Sequence, residues 1–155
     1  MYRIAVLSDR AELAACFTEQ INRFCMERGA FPAIACYQEQ ERFFCQIRKV
    51  VPTSVVIALP GIAGLNAVER LRQIAPTCGL IWCSDLDFSL QAFRLRAEYF
   101  MVLPVNEERI REGLAIWYEK RKQSSLAKNH FLFIFYSYYY SFQSIVCFLP
   151  PTKSA

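Results

Sequence analysis

Hydrophobic and polar positions alternate along the first 122 residues with two periods. Five short runs are apolar nearly throughout: RIAVL (3–7), AIAC (33–36), SVVIA (54–58), LIWC (80–83) and YFMV (99–102). Each is followed by a stretch whose apolar residues recur at helical spacing. Leu13, Phe17, Ile21 and Phe24 form the first stripe, then Phe43, Phe44 and Ile47, then Leu65, Val68 and Leu71, then Phe88, Ala92 and Leu95, and last Ile110, Leu114 and Trp117. Unbroken apolar runs predict parallel strands covered by helices on both faces, and the stripes predict the covering helices, whose plain role is core packing. Repeated five times, the pattern predicts an α/β fold over residues 1–122: a (βα)5, doubly wound, parallel five-stranded sheet.

The period breaks after Gln123. Residues 123–130 read as a linker, and 131–155 form an atypical hydrophobic, aromatic-rich extension that belongs to no βα unit. Three readings of the extension stand: a membrane span over 131–149, an aberrant or unordered tail, or an extra element packed on the domain or on a partner. About 20 apolar residues suffice to cross a bilayer, and Lys120, Arg121, Lys122 and Lys128 would supply a cytoplasmic flank. Ser137, Ser141, Gln143, Ser144 and the intervening tyrosines argue against the span.

Composition narrows the function classes. A length of 155 residues fits one domain with an extension. The net charge of +4 is spread along the chain, so it supplies no basic patch for nucleic acid. Seven cysteines form no C-x-x-C pair, and MYRIAVLSDR enters a strand pattern without a signal-peptide pattern, which leads us to expect reduced thiols in the cytoplasm. Cys83 and Ser84 lack a histidine partner for nucleophilic catalysis, because the one histidine, His130, lies in the extension.

Ligands of doubly wound sheets bind at the carboxyl ends of the strands. Those ends carry Ser8 and Asp9, Ala58 and Leu59, Ser84 and Asp85, and Leu103 and Pro104. Asp9, with Glu12 three residues on, also reads as a helix N-cap. Ser84 and Asp85 read as a cap or turn, and Pro60, Gly61 and Gly64 as turn chemistry.

The stretches RIAVLSDRAEL, PGIAGLNAVERLR and IWCSDLDFSLQAFRLRAEYFMVLPV resemble, in order and spacing, the receiver domains of bacterial two-component response regulators, and specifically the branch with a LytTR-type DNA-binding output domain. In the last stretch Phe88, Ala92 (or Leu90), Phe93, Ala97 and Tyr99 stand at that branch's aromatic and alanine positions. The resemblance implies a flavodoxin-like receiver fold with a phosphorylation pocket. In that pocket strand-one acids hold Mg²⁺, an Asp ending strand three accepts a phosphoryl group, a Ser or Thr after strand four bonds it, and a Lys precedes Pro on strand five.

Carried across residue by residue, that pocket is vestigial. Ser8 replaces the first acid and Asp9 keeps the second. Ala58 or Leu59 stands at the acceptor position, Ser84 keeps the hydroxyl, and Leu103 replaces the Lys before Pro104. No Asp or Glu occurs between Glu41 and Glu69, so no shift of register restores an acceptor. Asp9 alone is a poor Mg²⁺ site, since the ion wants several charged oxygens, and no cofactor is expected. Phe100 holds the place of the family's switching aromatic and also reads as plain core.

The expectation is therefore a degenerate receiver, not an enzyme, acting by phosphorylation-independent protein contact. The surface of helix four, strand five and helix five is the expected face for a partner or a homodimer, with Arg94, Arg96, Glu98, Glu107, Glu108, Arg109 and Arg111 as its charges. The alternative is a LytTR-type DNA-binding regulator truncated or frameshifted before its output domain, with DNA contact only if that domain is present elsewhere. A membrane-anchored receiver is the outside option.

Overall fold

A computed structural model describes residues 2–124 of the chain. Five strands and five helices alternate in it: β1 (Arg3–Ser8), α1 (Ala11–Met26), β2 (Ala33–Tyr37), α2 (Gln40–Lys49), β3 (Ser54–Ala58), α3 (Gly61–Ile74), β4 (Gly79–Ser84), α4 (Ser89–Arg94), β5 (Tyr99–Val102) and α5 (107–124). The strands form one parallel sheet in the order β2-β1-β3-β4-β5. That is the flavodoxin-like doubly wound order, as the sequence pattern predicts.

The chain divides into two compact units, Met1–Trp117 and Tyr118–Ala155. All five strands lie in the first. Of the second, residues 118–124 are described and are helical, Gln123 and Ser124 of the expected linker included. The rest of that linker, and the extension with its candidate span, lie outside the described residues. Among the described residues no helix is long and apolar enough to cross a membrane.

The inner strands are buried residue by residue because helices cover both of their faces. In β3 and β4 every position is buried, and in β1 only Arg3 is exposed. Ala5, Leu7, Val55, Ile57, Leu80 and Trp82 alternate onto one face, where Phe43 and Phe44 of α2, Val68 and Leu71 of α3 and Ala92 of α4 complete a core. The intervening Ile4, Val6, Val56 and Ile81 are buried on the opposite face. Trp82 stacks on Phe88 at 5.4 Å and meets Phe100 edge-on at 5.1 Å, so Phe100 packs as core.

The edge strands differ. The AIAC run is expected to be covered on both faces, yet Ala33, Ala35 and Cys36 of β2 are exposed. β2 pairs with β1 alone, and an edge strand of small residues buries little on its own. Beside it a groove of about 870 Å³ opens between α1 and β2, lined by Ala11, Ala15, Thr18 and Ala35 among others, and by none of the residues ending β3, β4 or β5.

Candidate functional site

The register of the sheet sets the site. Ser8 pairs with Ala58 and Ala58 with Cys83, so these three close the central strands in one row. Asp9, Leu59 and Ser84 follow them by one residue. On the far side Ser84 pairs with Val102, and the Leu103 N–H donates to the Ser84 carbonyl at 2.8 Å. The fold thus brings Ser8, Asp9, Ala58, Leu59, Ser84 and Leu103 to one end of the sheet, with Pro104 next along after a cis Leu103–Pro104 bond.

What gathers there is mostly uncharged and buried. Ser8, Ala58, Leu59 and Ser84 are buried, and Leu103 is half-buried. Cys83, beside Ala58, has its thiol pushed up to about 12 by burial, so it is no nucleophile and its surroundings penalise an anion. Asp9 is exposed, and among the described residues no group of three metal-ligating side chains assembles. Without such a group Asp9 does not fit a Mg²⁺ ion, which needs several oxygen ligands to offset its dehydration.

The expected N-cap at Asp9 is corrected by the structure. Helix α1 starts at Ala11 with Arg10 at the cap position and no side-chain cap bond. Ser8 closes the turn instead: its hydroxyl accepts from the Arg10 N–H and donates to the Arg10 carbonyl, both at 3.2 Å. A hydroxyl buried at a strand end satisfies itself locally in this way.

At the end of β4 the turn reading holds and gains a long-range part. The Leu86 N–H donates to Ser84 Oγ at 3.4 Å, and Ser84 Oγ donates to Asp85 Oδ1 at 3.3 Å. The same Asp85 oxygen accepts the Gly61 N–H, the first of α3, at 2.6 Å. Pro60, the N-cap of α3, offers no side-chain cap, so a carboxylate from the next βα connection takes that role. Gly61 sits at φ +51, open to glycine, and Gly64 lies so near β3 that a Cβ there would stand 2.5 Å from the Leu59 carbonyl oxygen. The two glycines let α3 close down on the end of β3. The sequence places Asp85 at this end as a cap or turn residue but does not reveal its partner Gly61, 24 positions away.

The face of α4, β5 and α5 is also revised. Arg111 donates two hydrogen bonds to Glu27 of α1, at 3.1 and 2.8 Å, and Glu107 pairs with Arg23 at 3.7 Å. The Tyr99 hydroxyl donates to Glu112 at 2.6 Å. Arg111 and Glu107 therefore join α5 to α1. Arg94, Arg96, Glu108 and Arg109 remain exposed, together with Leu90 (59% exposed) and Phe93 (83%) of α4.

No protein-family model and no curated protein sequence matches the chain. Solved structures do. The receiver domain of a response regulator from Clostridium thermocellum aligns with a TM-score of 0.64 at 13% identity, over 79% of this chain and 98% of that one. The beryllofluoride-activated receiver domain of DrrB aligns at 0.60 and 17%, over 77% and 98%. The chain spans about half (54%) of the longer Thermotoga maritima DrrB, an OmpR/PhoB homologue. A protein described as a pilus assembly protein, from Burkholderia thailandensis, aligns at 0.59 and 17%, over 77% and 99%. At such identities the likeness establishes architecture, and the described chain has the fold of a response-regulator receiver domain.

Proposed function

We propose that this chain is a degenerate receiver, a pseudo-receiver of the LytTR-type branch, that works in signal transduction and transcription regulation by phosphorylation-independent contact with protein partners. The observation that supports it is the row at the carboxyl ends of the strands: Ser8, Ala58 and Cys83 stand in register, followed by Asp9, Leu59 and Ser84, with one carboxylate among the six. A phosphoryl acceptor must be a carboxylate in such a pocket, and the charge in transit needs a cation beside it. Leu59 and Leu103 are apolar where those groups would act. The chain therefore carries out no phosphoryl transfer and is not an enzyme. Its contacts run through α4, β5 and α5, whose exposed Leu90 and Phe93 beside Arg94 and Arg96 suit a protein partner or a second copy, in the cytoplasm.

A second reading is a LytTR-type DNA-binding regulator truncated or frameshifted before its output domain; the longer DrrB, which the chain covers by half, favours a further domain but, as an OmpR/PhoB homologue, not the LytTR type. DNA contact would then belong to the output domain.

Incubating the full chain with acetyl phosphate and Mg²⁺ tests the proposal. Intact mass should show no acid-labile phosphoryl adduct. One adduct per chain would overturn it.

A further inference from the structure

Asp85 is absorbed neither by the vestigial pocket nor by the core. Two donors from different elements converge on its Oδ1: the Gly61 N–H that opens α3 and the Ser84 hydroxyl that ends β4. The Ser84 hydroxyl is in turn oriented by the Leu86 N–H, so one hydrogen-bonded chain runs from the β4–α4 connection to the first turn of α3. Each bond in such a chain polarises the next, and an ionised acceptor at a helix N-terminus strengthens the whole. Leu86 lies on the same spot, its Cδ1 4.0 Å from where a side chain at Gly61 would begin. Leu86, in the bend before α4, is exposed, and so are Leu90 and Phe93, neighbours three residues apart on α4.

We infer that Asp85 is a built-in anion: it fills the two-donor seat between α3 and β4 with the chain's own carboxylate and latches the β4–α4 connection onto α3. Leu86, Leu90 and Phe93 are then presented in one arrangement with no outside ligand. This rests on the phosphorylation-independent reading above and supplies its fixed state.

Amide hydrogen exchange, followed by NMR on the full chain, tests the latch. Asp85 is exposed, so replacing it leaves the core untouched. In Asp85→Ala, exchange at Gly61 and Leu86 should rise roughly ten- to hundredfold, the factor a hydrogen bond to a charged acceptor contributes, while β1 and β3 amides keep their rates. Asp85→Asn, which keeps the shape and loses the charge, should fall between. Unchanged exchange at Gly61 and Leu86 overturns the latch, and so does an equal rise at every strand amide in both variants, which marks global loosening. These outcomes are separable from the function itself. A phosphoryl adduct on the wild-type chain removes the pseudo-receiver reading whatever the exchange rates, whereas unchanged exchange on an unphosphorylated chain removes only the latch.

Discussion

The two ends of the sheet are built by opposite rules. At the amino end, side chains reach across elements to bind backbone and buried hydroxyls. Arg72, near the end of α3, donates to the Leu95 carbonyl at 2.6 Å, to Cys78 at 2.6 Å and to Arg96 at 2.8 Å, tying the starts of β4 and β5 together. The Trp117 indole N–H of α5 donates to the buried Ser54 hydroxyl that opens β3, and the Arg3 N–H donates to Thr53 Oγ1 at 3.2 Å. At the carboxyl end the polar groups close on near neighbours, Ser8 on Arg10 and Ser84 on Asp85, while Asp85 reaches across to α3. Doubly wound sheets place their chemistry at the carboxyl end. Here the strand ends Ser8, Ala58, Leu59 and Ser84 are uncharged and buried, and the charges at that end, Asp9 and Asp85, lie exposed in the connections, while most of the bracing stays at the other.

Putting a charge back should hurt most. Ala58 is 2% exposed and lies in register between Ser8 and Cys83, both uncharged. Ala58→Asp places a carboxylate where burial already drives the Cys83 thiol up to about 12. An uncompensated buried charge costs about 3–5 kcal/mol, so urea unfolding should show a loss of that size and no gain of phosphoryl uptake. A variant as stable as wild type would mean that the carboxyl end still accommodates an acid, and the contrast between the ends would collapse.

Arg72→Ala comes next. It strips a charged donor from the carbonyls of Pro76, Cys78, Leu95 and Arg96 and frees Arg96, which is held at φ +53. The expected loss is about 2–3 kcal/mol in the same assay, with the Gly61 and Ser84 amide resonances unmoved. Shifts at those two residues would show that the ends are coupled. Trp117→Phe is smaller: it keeps an aromatic ring against Tyr2, now 5.4 Å away, but leaves the Ser54 hydroxyl buried without its donor. About 1–2 kcal/mol should be lost. A neutral result would assign the bracing to ring packing rather than to the hydrogen bond.

The same contrast explains what could be read from the chain. SVVIA and YFMV match β3 and β5 residue for residue, because strands covered by helices leave a local, unbroken apolar run. AIAC misleads, since a lone run does not reveal which strand ends the sheet; its alanines, set against the Val and Ile of β3, are the available sign of an edge. Asp9 and Glu12 have capping-box spacing, yet the cap position falls on Arg10, Glu12 lies inside the first turn, and the neighbouring Ser8 makes the turn. That Ala58, Leu59 and Leu103 are uncharged is legible, being a matter of residue type. The long-range reach of Asp85 and Arg72 is not, because their distant partners are backbone groups 23 or 24 positions away, and every residue carries such groups.

The smallest effect belongs to the ion pairs on the helix surfaces, outside both ends. Arg111 beside Glu27 and Arg70 beside Glu41 hold those carboxyls below their ordinary 4.5, chiefly through the hydrogen bonds each arginine donates. A carboxyl whose folded value is lowered contributes stability above its unfolded value and loses it as pH falls through the folded one. The pairs therefore contribute fully at neutral pH, and their contribution fades only as the solution is acidified past 4.5. Both carboxylates are solvent-exposed, so screening keeps the contribution small. A Glu27→Gln, Glu41→Gln double variant should melt slightly lower than wild type at pH 6, and the two melting curves should converge on acidification below 4.5. Curves that stay parallel through that range would mean that the pairs add nothing, leaving the braced amino end and the apolar carboxyl end to account for stability without them.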